Sequence, residues 1–147
     1  MTRFGILGAA DIAPLALIYP CMNEPRATVS VIGARSRENA TGFAQYHKIP
    51  NVADNYADVI AHGSCNAIYN PLPISHHKEW TIAALKAGKH VLCEKSFASN
   101  AKQAREMADV AAESGLILMD AFHYRYHPLF LHAKQVYDSG QLGEIES

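Results

Sequence analysis

The chain has 147 residues, of which 49% are hydrophobic and 18% charged, with a formal net charge of −1. This length predicts one domain that buries roughly 70% of its unfolded surface, and the composition excludes a disordered chain. The near-zero charge gives no global field for nucleic acid or an acidic membrane.

Cys21, Cys65 and Cys93 stand at no metal-like spacing and read as free thiols in a reducing compartment. Met1–Thr2–Arg3 leads straight into an apolar run rather than a secretory leader. No apolar run reaches the ~18 residues that span a bilayer. The expectation is a cytoplasmic protein with no membrane or nucleic-acid partner.

The first elements in chain order are a buried strand over Phe4–Leu7, a glycine turn at Gly8 and a helix over Ile12–Met22. Pro14 is tolerated in the first turn of that helix, and Pro20 is expected to kink or fray its end. A second strand runs over Thr28–Ala34, where Val29, Val31 and Ile32 are β-branched. Arg37–Tyr46 is helical, Val52 marks a minor third strand, and a helix follows near Tyr56–Ala61.

Ala67–Asn70 is the fourth strand. Trp80, Ala83, Ala84 and Ala87 then share one face of a helix over 76–87, stopped by Gly88. His90–Cys93 is the fifth strand, 101–114 a helix stopped by Gly115, Leu116–Met119 the sixth strand and Leu129–Ser139 a last helix. Gly143–Ser147 reads as the start of another strand. Apolar strands alternating with helices of this length mean βαβ units, so the expected fold is α/β, a doubly wound parallel sheet of the Rossmann type.

Five segments carry candidate chemistry. In Gly5–Ala13, Gly8 serves the tight turn of a dinucleotide fingerprint, Ala10 stands at its middle glycine and Ala13 at its third small position. Free N–H groups and the positive helix end there attract pyrophosphate, although the Ala10 methyl weakens or shifts its approach. A glycine turn of any βα unit is the alternative.

Gly33-Ala34-Arg35-Ser36-Arg37 ends the second strand with no carboxylate. An acid there holds a ribose 2′-hydroxyl, whereas a guanidinium suits a 2′-phosphate, so NADP is favoured over NAD. The alternative is a solvated loop with Ser36 as a helix cap; a cap hydroxyl also faces phosphate.

Asn70-Pro71-Leu72-Pro73 forms a stiff loop beyond the fourth strand, a wall for adenine or nicotinamide. His76 and His77 follow it; adjacent histidines converge poorly and no third ligand is evident, so no metal is expected and His77 reads as a helix-start or pocket residue. Glu94–Lys95 closes the fifth strand, where open α/β sheets bind ligands, and the Lys95 ammonium can stabilise developing charge or relay a proton. A surface ion pair is the alternative. Asp120–Pro128 concentrates three aromatics, two histidines and Arg125 beyond the sixth strand, as a pocket wall or a domain-packing segment.

These residues resemble the N-terminal NAD(P)-binding domain of the glucose–fructose oxidoreductase and inositol dehydrogenase family (Gfo/Idh/MocA), nearest its dihydrodiol-dehydrogenase-like branch. The carrying segments are Gly5–Ala13, Pro71-Leu72-Pro73 with His77 and Trp80, Ala87-Gly88-Lys89-His90-Val91-Leu92-Cys93-Glu94-Lys95, and Asp120–Pro128 with Gly143-Glu144-Ile145. They cover essentially the whole chain. The chain departs from the family pattern with Ser96 where a proline usually follows Glu-Lys, with Ile74 in place of an asparagine, and with Ala10.

The resemblance implies an NAD(P)-dependent oxidoreductase acting on a sugar, polyol or diol, a homo-oligomer when complete. It implies Lys95 as the catalytic residue at the nicotinamide and substrate. Cofactor contacts fall to Gly8, Ala10, Asp11, Ile12, Arg35, Ser36, Arg37, Asn70, Pro71, Leu72, His77, Glu94, Lys95 and Arg125. It further implies a dinucleotide-binding domain over 1–125, with 126–147 a linking helix and the start of a second α/β substrate domain absent from this chain. The competing expectation is a non-catalytic nucleotide-binding or assembly module.

Overall fold

A computed structural model describes residues 1–144. Its strands are β1 (Thr2–Leu7), β2 (Ala27–Gly33), β3 (Asn51–Ala53), β4 (Ala67–Asn70), β5 (His90–Cys93) and β6 (Leu118–Asp120). They form one sheet in the order β3-β2-β1-β4-β5-β6, with every pairing parallel. The chain winds outward from β1 to β3 and then crosses back to lay β4 beside β1. That reversal opens a crevice at the carboxyl ends of β1 and β4, where ligands of such sheets bind.

The helices are α1 (Tyr19–Met22), α2 (Arg37–His47), α3 (Tyr56–Ala61), α4 (Ile74–Lys86), α5 (Ala101–Ser114) and α6 (Pro128–Asp138). Short polar side chains start three of them. Ser36 accepts from the Asn39 N–H, Asn55 from Asp58 and Asn100 from Gln103, each satisfying one of the amides that a helix start leaves unpaired.

Alternation along the strands splits the core into two layers. Leu7, Val31, Ile68, Val91 and Cys93 pack with Val59, Leu85 and Met107 on the α3–α4–α5 side. Ile6, Ile32 and Tyr69 pack with Ala13, Leu17, Ile18 and Ala44 on the opposite side. Gly33 lets α3 close on the sheet, because a Cβ there would lie 2.6 Å from Val59 Cγ2 and 2.8 Å from the Asn55 carbonyl oxygen. Ser30 is the extra residue of a bulge in β2 opposite Phe4–Gly5, and its hydroxyl donates to the Phe4 carbonyl.

The helix expected over Ile12–Met22 is real but differently wound. Pro14–Ile18 forms a π turn, with the Tyr19 N–H donating to the Pro14 carbonyl five residues back, and α1 follows it. Pro20 explains the widening, because it has no N–H for the Ala16 carbonyl and its ring crowds that group. The sixth strand begins at Leu118 rather than Leu116. The Ile117 N–H is taken by the His90 imidazole, so regular pairing starts one residue later.

Residues 123–126 form a 3-10 turn leading into α6, whose residues are exposed except for half-buried Val136. The strand expected over Gly143–Ser147 reaches into 145–147, which lie outside the described residues.

Candidate functional site

A cleft of about 760 Å³ occupies the crevice. Its floor is the turn Leu7–Ala10 after β1, one side is Ala34-Arg35-Ser36 with Asn39 after β2, and the other is Pro71-Leu72-Pro73 with His76, Glu79 and Trp80. Tyr56 closes the remaining wall, its ring edge-on to Trp80 at a centroid separation of 5.2 Å.

Gly8 shapes the floor. Its φ of +93° lies in a region that L side chains avoid, and a Cβ would point at Leu72 Cδ2, 3.2 Å away across the cleft. The Gly8 N–H is spent on the Gly33 carbonyl at 2.7 Å. Among the described residues, the N–H groups of residues 9–12 make no backbone hydrogen bond, so main-chain donors remain free at the head of the following helix. At the β2 end Arg35 is exposed along the cleft wall and Ser36 caps α2.

A second cavity of about 140 Å³ lies at the ends of β4, β5 and β6, lined among others by Tyr69, Leu92, Glu94, Asp120, Phe122 and Tyr126. Glu94 is 5% exposed. Its Oε1 accepts from the Tyr69 hydroxyl at 2.7 Å and its Oε2 from the Lys95 N–H at 3.1 Å. Burial, reinforced by this carboxylate, pushes the Tyr69 phenol far above its ordinary value. Burial also pushes the Cys93 thiol up to about 12, so it is an inert core residue. The Asp120 carboxyl is raised by burial and by the nearby Glu94 charge, and its Oδ1 is buried without a hydrogen-bond partner.

The structure brings Gly8, Ala10, Arg35, Ser36, Pro71 and Leu72 together around the cleft. Asp11 and Ile12 are exposed beyond its floor. Arg37 is not in the wall but pairs with Asp54 after β3. Asn70 and His77 are fully buried beneath the wall. Glu94 faces the second cavity; Lys95 and Arg125 are exposed and line neither. The Lys95–Ser96 peptide is cis.

Sequence reasoning passed over Asn39, Tyr56 and Glu79 in the cleft wall, weighed His76 only as a metal ligand, and placed Asp120 in a pocket-wall segment without giving it a role beside Glu94. Asp120 had a readable signal, an acid one strand over at the same sheet end; Tyr56 and Glu79 read only as helix surface.

The pattern of the oxidoreductase family with an NAD-binding Rossmann fold, Gfo/Idh/MocA, matches residues 2–122. The chain belongs to this family. Its relatives include the dTDP-3,4-didehydro-2,6-dideoxy-alpha-D-glucose 3-reductase of Actinomadura kijaniata, 36% identical over 99% of this chain and 43% of the relative. The NADP(+)-dependent D-xylose 1-dehydrogenase 2 of Haloferax volcanii is 35% identical over 98% of this chain and 44% of the relative. A crystal structure of KijD10, a 3-ketoreductase from Actinomadura kijaniata in complex with TDP-benzene and NADP, superposes with a TM-score of 0.87 and 35% identity, covering 98% of this chain and 45% of that one. The chain therefore spans less than half the length of these relatives.

The Gfo/Idh/MocA chain described here is an NAD-binding Rossmann domain, and its cleft fits a dinucleotide. The volume suits a cofactor-sized ligand, the cradle over Gly8 is one that a Cβ would fill, and the free amides supply anion donors. Among the described residues no group of three or more His, Cys, Asp or Glu is arranged to hold a metal ion. No helix among them is long and apolar enough to cross a membrane.

Proposed function

We propose that the chain is the NADP-binding part of an oxidoreductase that moves hydride between nicotinamide and a carbinol carbon of a sugar, polyol or diol. The observation that carries the NADP preference is the β2 end, where the cleft wall offers Arg35 and the capping Ser36 and no carboxylate. A guanidinium fork matches a 2′-phosphate bidentately, and the α2 cap hydroxyl lies beside it. The NADP-dependent relatives support the same choice.

The chain's own groups divide the work. Free amides after Gly8 receive pyrophosphate, helped by the positive end of the helix. Pro71 and Leu72 form an apolar wall that keeps water from one side of the nucleotide. A bound NADPH supplies the hydride from its nicotinamide ring. Glu94, held by Tyr69, fixes the end of β5 from which Lys95 projects. The Lys95 ammonium donates to the substrate oxygen as negative charge develops there.

The sugar, polyol or diol class follows the names of relatives that act on a dTDP-sugar, on xylose and on scyllo-inositol. The reading extends to a self-associating complete protein in the cytoplasm, a setting that three free thiols fit. It also keeps 1–125 as the dinucleotide domain and 126–147 as a linking segment. Lys95 lines neither cavity, which favours a second reading, a nucleotide-binding module without turnover.

Fluorescence titration with NADPH and NADH tests the preference. NADPH binds the wild-type chain more tightly, and Arg35→Ala lowers NADPH affinity by about 10–100-fold, the worth of one charge-assisted bidentate contact, with NADH affinity unchanged. Equal affinity for both nucleotides overturns the NADP reading. Nicotinamide absorbance with a polyol panel separates enzyme from module: turnover abolished by Lys95→Ala supports the enzyme, and binding without turnover supports the module.

A further inference from the structure

Two buried polar residues beneath the cleft, Asn70 and His77, touch no solvent and line neither cavity, yet their polar groups meet the backbone around the site and the Thr81 hydroxyl. The His77 ring is 0% exposed. Its Nε2 lies 2.6 Å from the Leu72 carbonyl oxygen. Its Nδ1 lies 3.0 Å from the Ser96 carbonyl oxygen and 3.3 Å from that of Phe97. Carbonyls only accept, so the two contacts are hydrogen bonds together only when both ring nitrogens carry hydrogen; a neutral ring donates to one carbonyl and packs against the other. The Asn70 amide completes the frame: its Oδ1 accepts from the Leu72 N–H at 3.3 Å, while its Nδ2 donates to the His77 carbonyl at 3.3 Å and to Thr81 Oγ1 at 3.2 Å.

Leu72 is therefore gripped at both its N–H and its C=O, and it forms the cleft wall facing Gly8. Ser96 is the residue directly after Lys95. One flat, rigid ring spans the gap between the nucleotide cleft and the turn that carries the ammonium. Glu94, tied to Tyr69, clamps the same turn from the other side of the sheet.

We propose that His77 is a positioning residue that couples the dinucleotide cleft to Lys95, by joining the Leu72 carbonyl to the Ser96 carbonyl. The proposal rests on the NADP-binding reading above and adds to it how occupancy of the cleft reaches the residue outside it. A ligand pressing on Leu72 shifts the ring, and the ring carries the shift to Ser96 and Lys95. Coupling of this kind runs through contiguous contacts in a packed interior, which the buried Leu72–His77–Ser96 contacts, backed by Asn70 and Thr81, provide.

Two variants separate the two ends of the ring. The side-chain nitrogen of asparagine falls near the position of Nδ1 and that of glutamine near Nε2, so His77→Asn keeps a donor toward Ser96 and His77→Gln keeps one toward Leu72. NADPH is titrated into the wild-type chain and both variants, with backbone amide NMR signals as the readout. In the wild type, NADPH moves the signals of Leu72 and of residues 95–97 together. In His77→Gln, affinity stays within about threefold and Leu72 still responds, while the response at 95–97 falls by at least about half. In His77→Asn, the free protein keeps wild-type signals at 95–97, and NADPH no longer moves them.

A response at 95–97 that persists undiminished in both variants overturns the proposal. Should neither variant fold, the His77 ring-nitrogen signals of the wild type decide it: they move on NADPH addition, and ring signals that stay fixed overturn it. Failure of NADPH to bind the wild type overturns the functional reading itself and this inference with it. Binding with silent residues 95–97 overturns this inference alone.

Discussion

The two ends of the crevice are built from different materials. At the β1–β2 end the groups facing the cleft are mostly main chain: a left-handed Gly8, free amides over 9–12 and one exposed guanidinium. The β4–β5 end is built instead on buried side chains behind the cleft wall, Tyr69, Asn70, His77 and Glu94, each held by named partners. Main-chain donors bind an anion without needing a side chain to order, so the first end is defined by what is absent, a Cβ at position 8 and a carboxylate at the β2 terminus. The second end is defined by what is present, and its precision depends on full hydrogen-bond satisfaction.

The largest expected effect breaks the first end. Gly8→Val imposes a β-branched side chain at φ +93° and aims it at Leu72 across the cleft. NADPH affinity falls at least about 100-fold, a loss of ~2.7 kcal/mol, by fluorescence titration. Backbone strain of about 1–3 kcal/mol lowers Tm as well. Affinity retained in this variant contradicts a main-chain anion site.

Tyr69→Phe breaks the second end. It leaves Glu94 Oε1 without its donor in a buried site and costs about 1–3 kcal/mol in urea unfolding, with NADPH affinity within about threefold of wild type. A larger loss in affinity than in stability would reverse the division of labour between the two ends.

Much of this contrast was legible in the sequence. The β-branched runs of β2 and the apolar run of β4 gave the sheet, Ser36 gave a helix cap, and the missing acid after Gly33 gave the basic cleft wall. The parts that were not legible depend on tertiary contacts. Arg37 follows Arg35 by two residues, yet its partner is Asp54, on the loop after β3, and no local pattern announces that pair. Asn70 and His77 stand in a segment that does line a site, but Asn70 ends the buried strand β4 and His77 shares the buried face of α4 with Thr81, Ala84 and Leu85, so both carry the loops rather than the ligand. The π turn over Pro14–Ile18 reflects Pro20, whose kink was expected where its widening was not. Apolar periodicity alone drew β6 two residues early, because the capture of the Ile117 N–H by His90 lies outside any sequence pattern.

The smallest effect sharpens the second end through pH. Burial and the Glu94 charge raise the Asp120 carboxyl, so the folded state holds that proton more tightly than the unfolded chain does. Such a group stabilises the fold below the ordinary aspartate range and loses that contribution as pH rises through the folded value. Asp120→Asn removes this dependence. Its stability relative to wild type increases from acid toward neutral pH, read as Tm across a pH series. A gain that is largest in acid would assign the carboxyl the opposite role.

The cleft as an NADP site is tested most directly by a crystal structure of the chain grown with NADPH. The account predicts pyrophosphate against the amides after Gly8, the 2′-phosphate between Arg35 and Ser36, and the nicotinamide directed toward the β5 end that bears Lys95. A nucleotide bound elsewhere on the sheet, or one whose 2′-phosphate avoids Arg35, contradicts it.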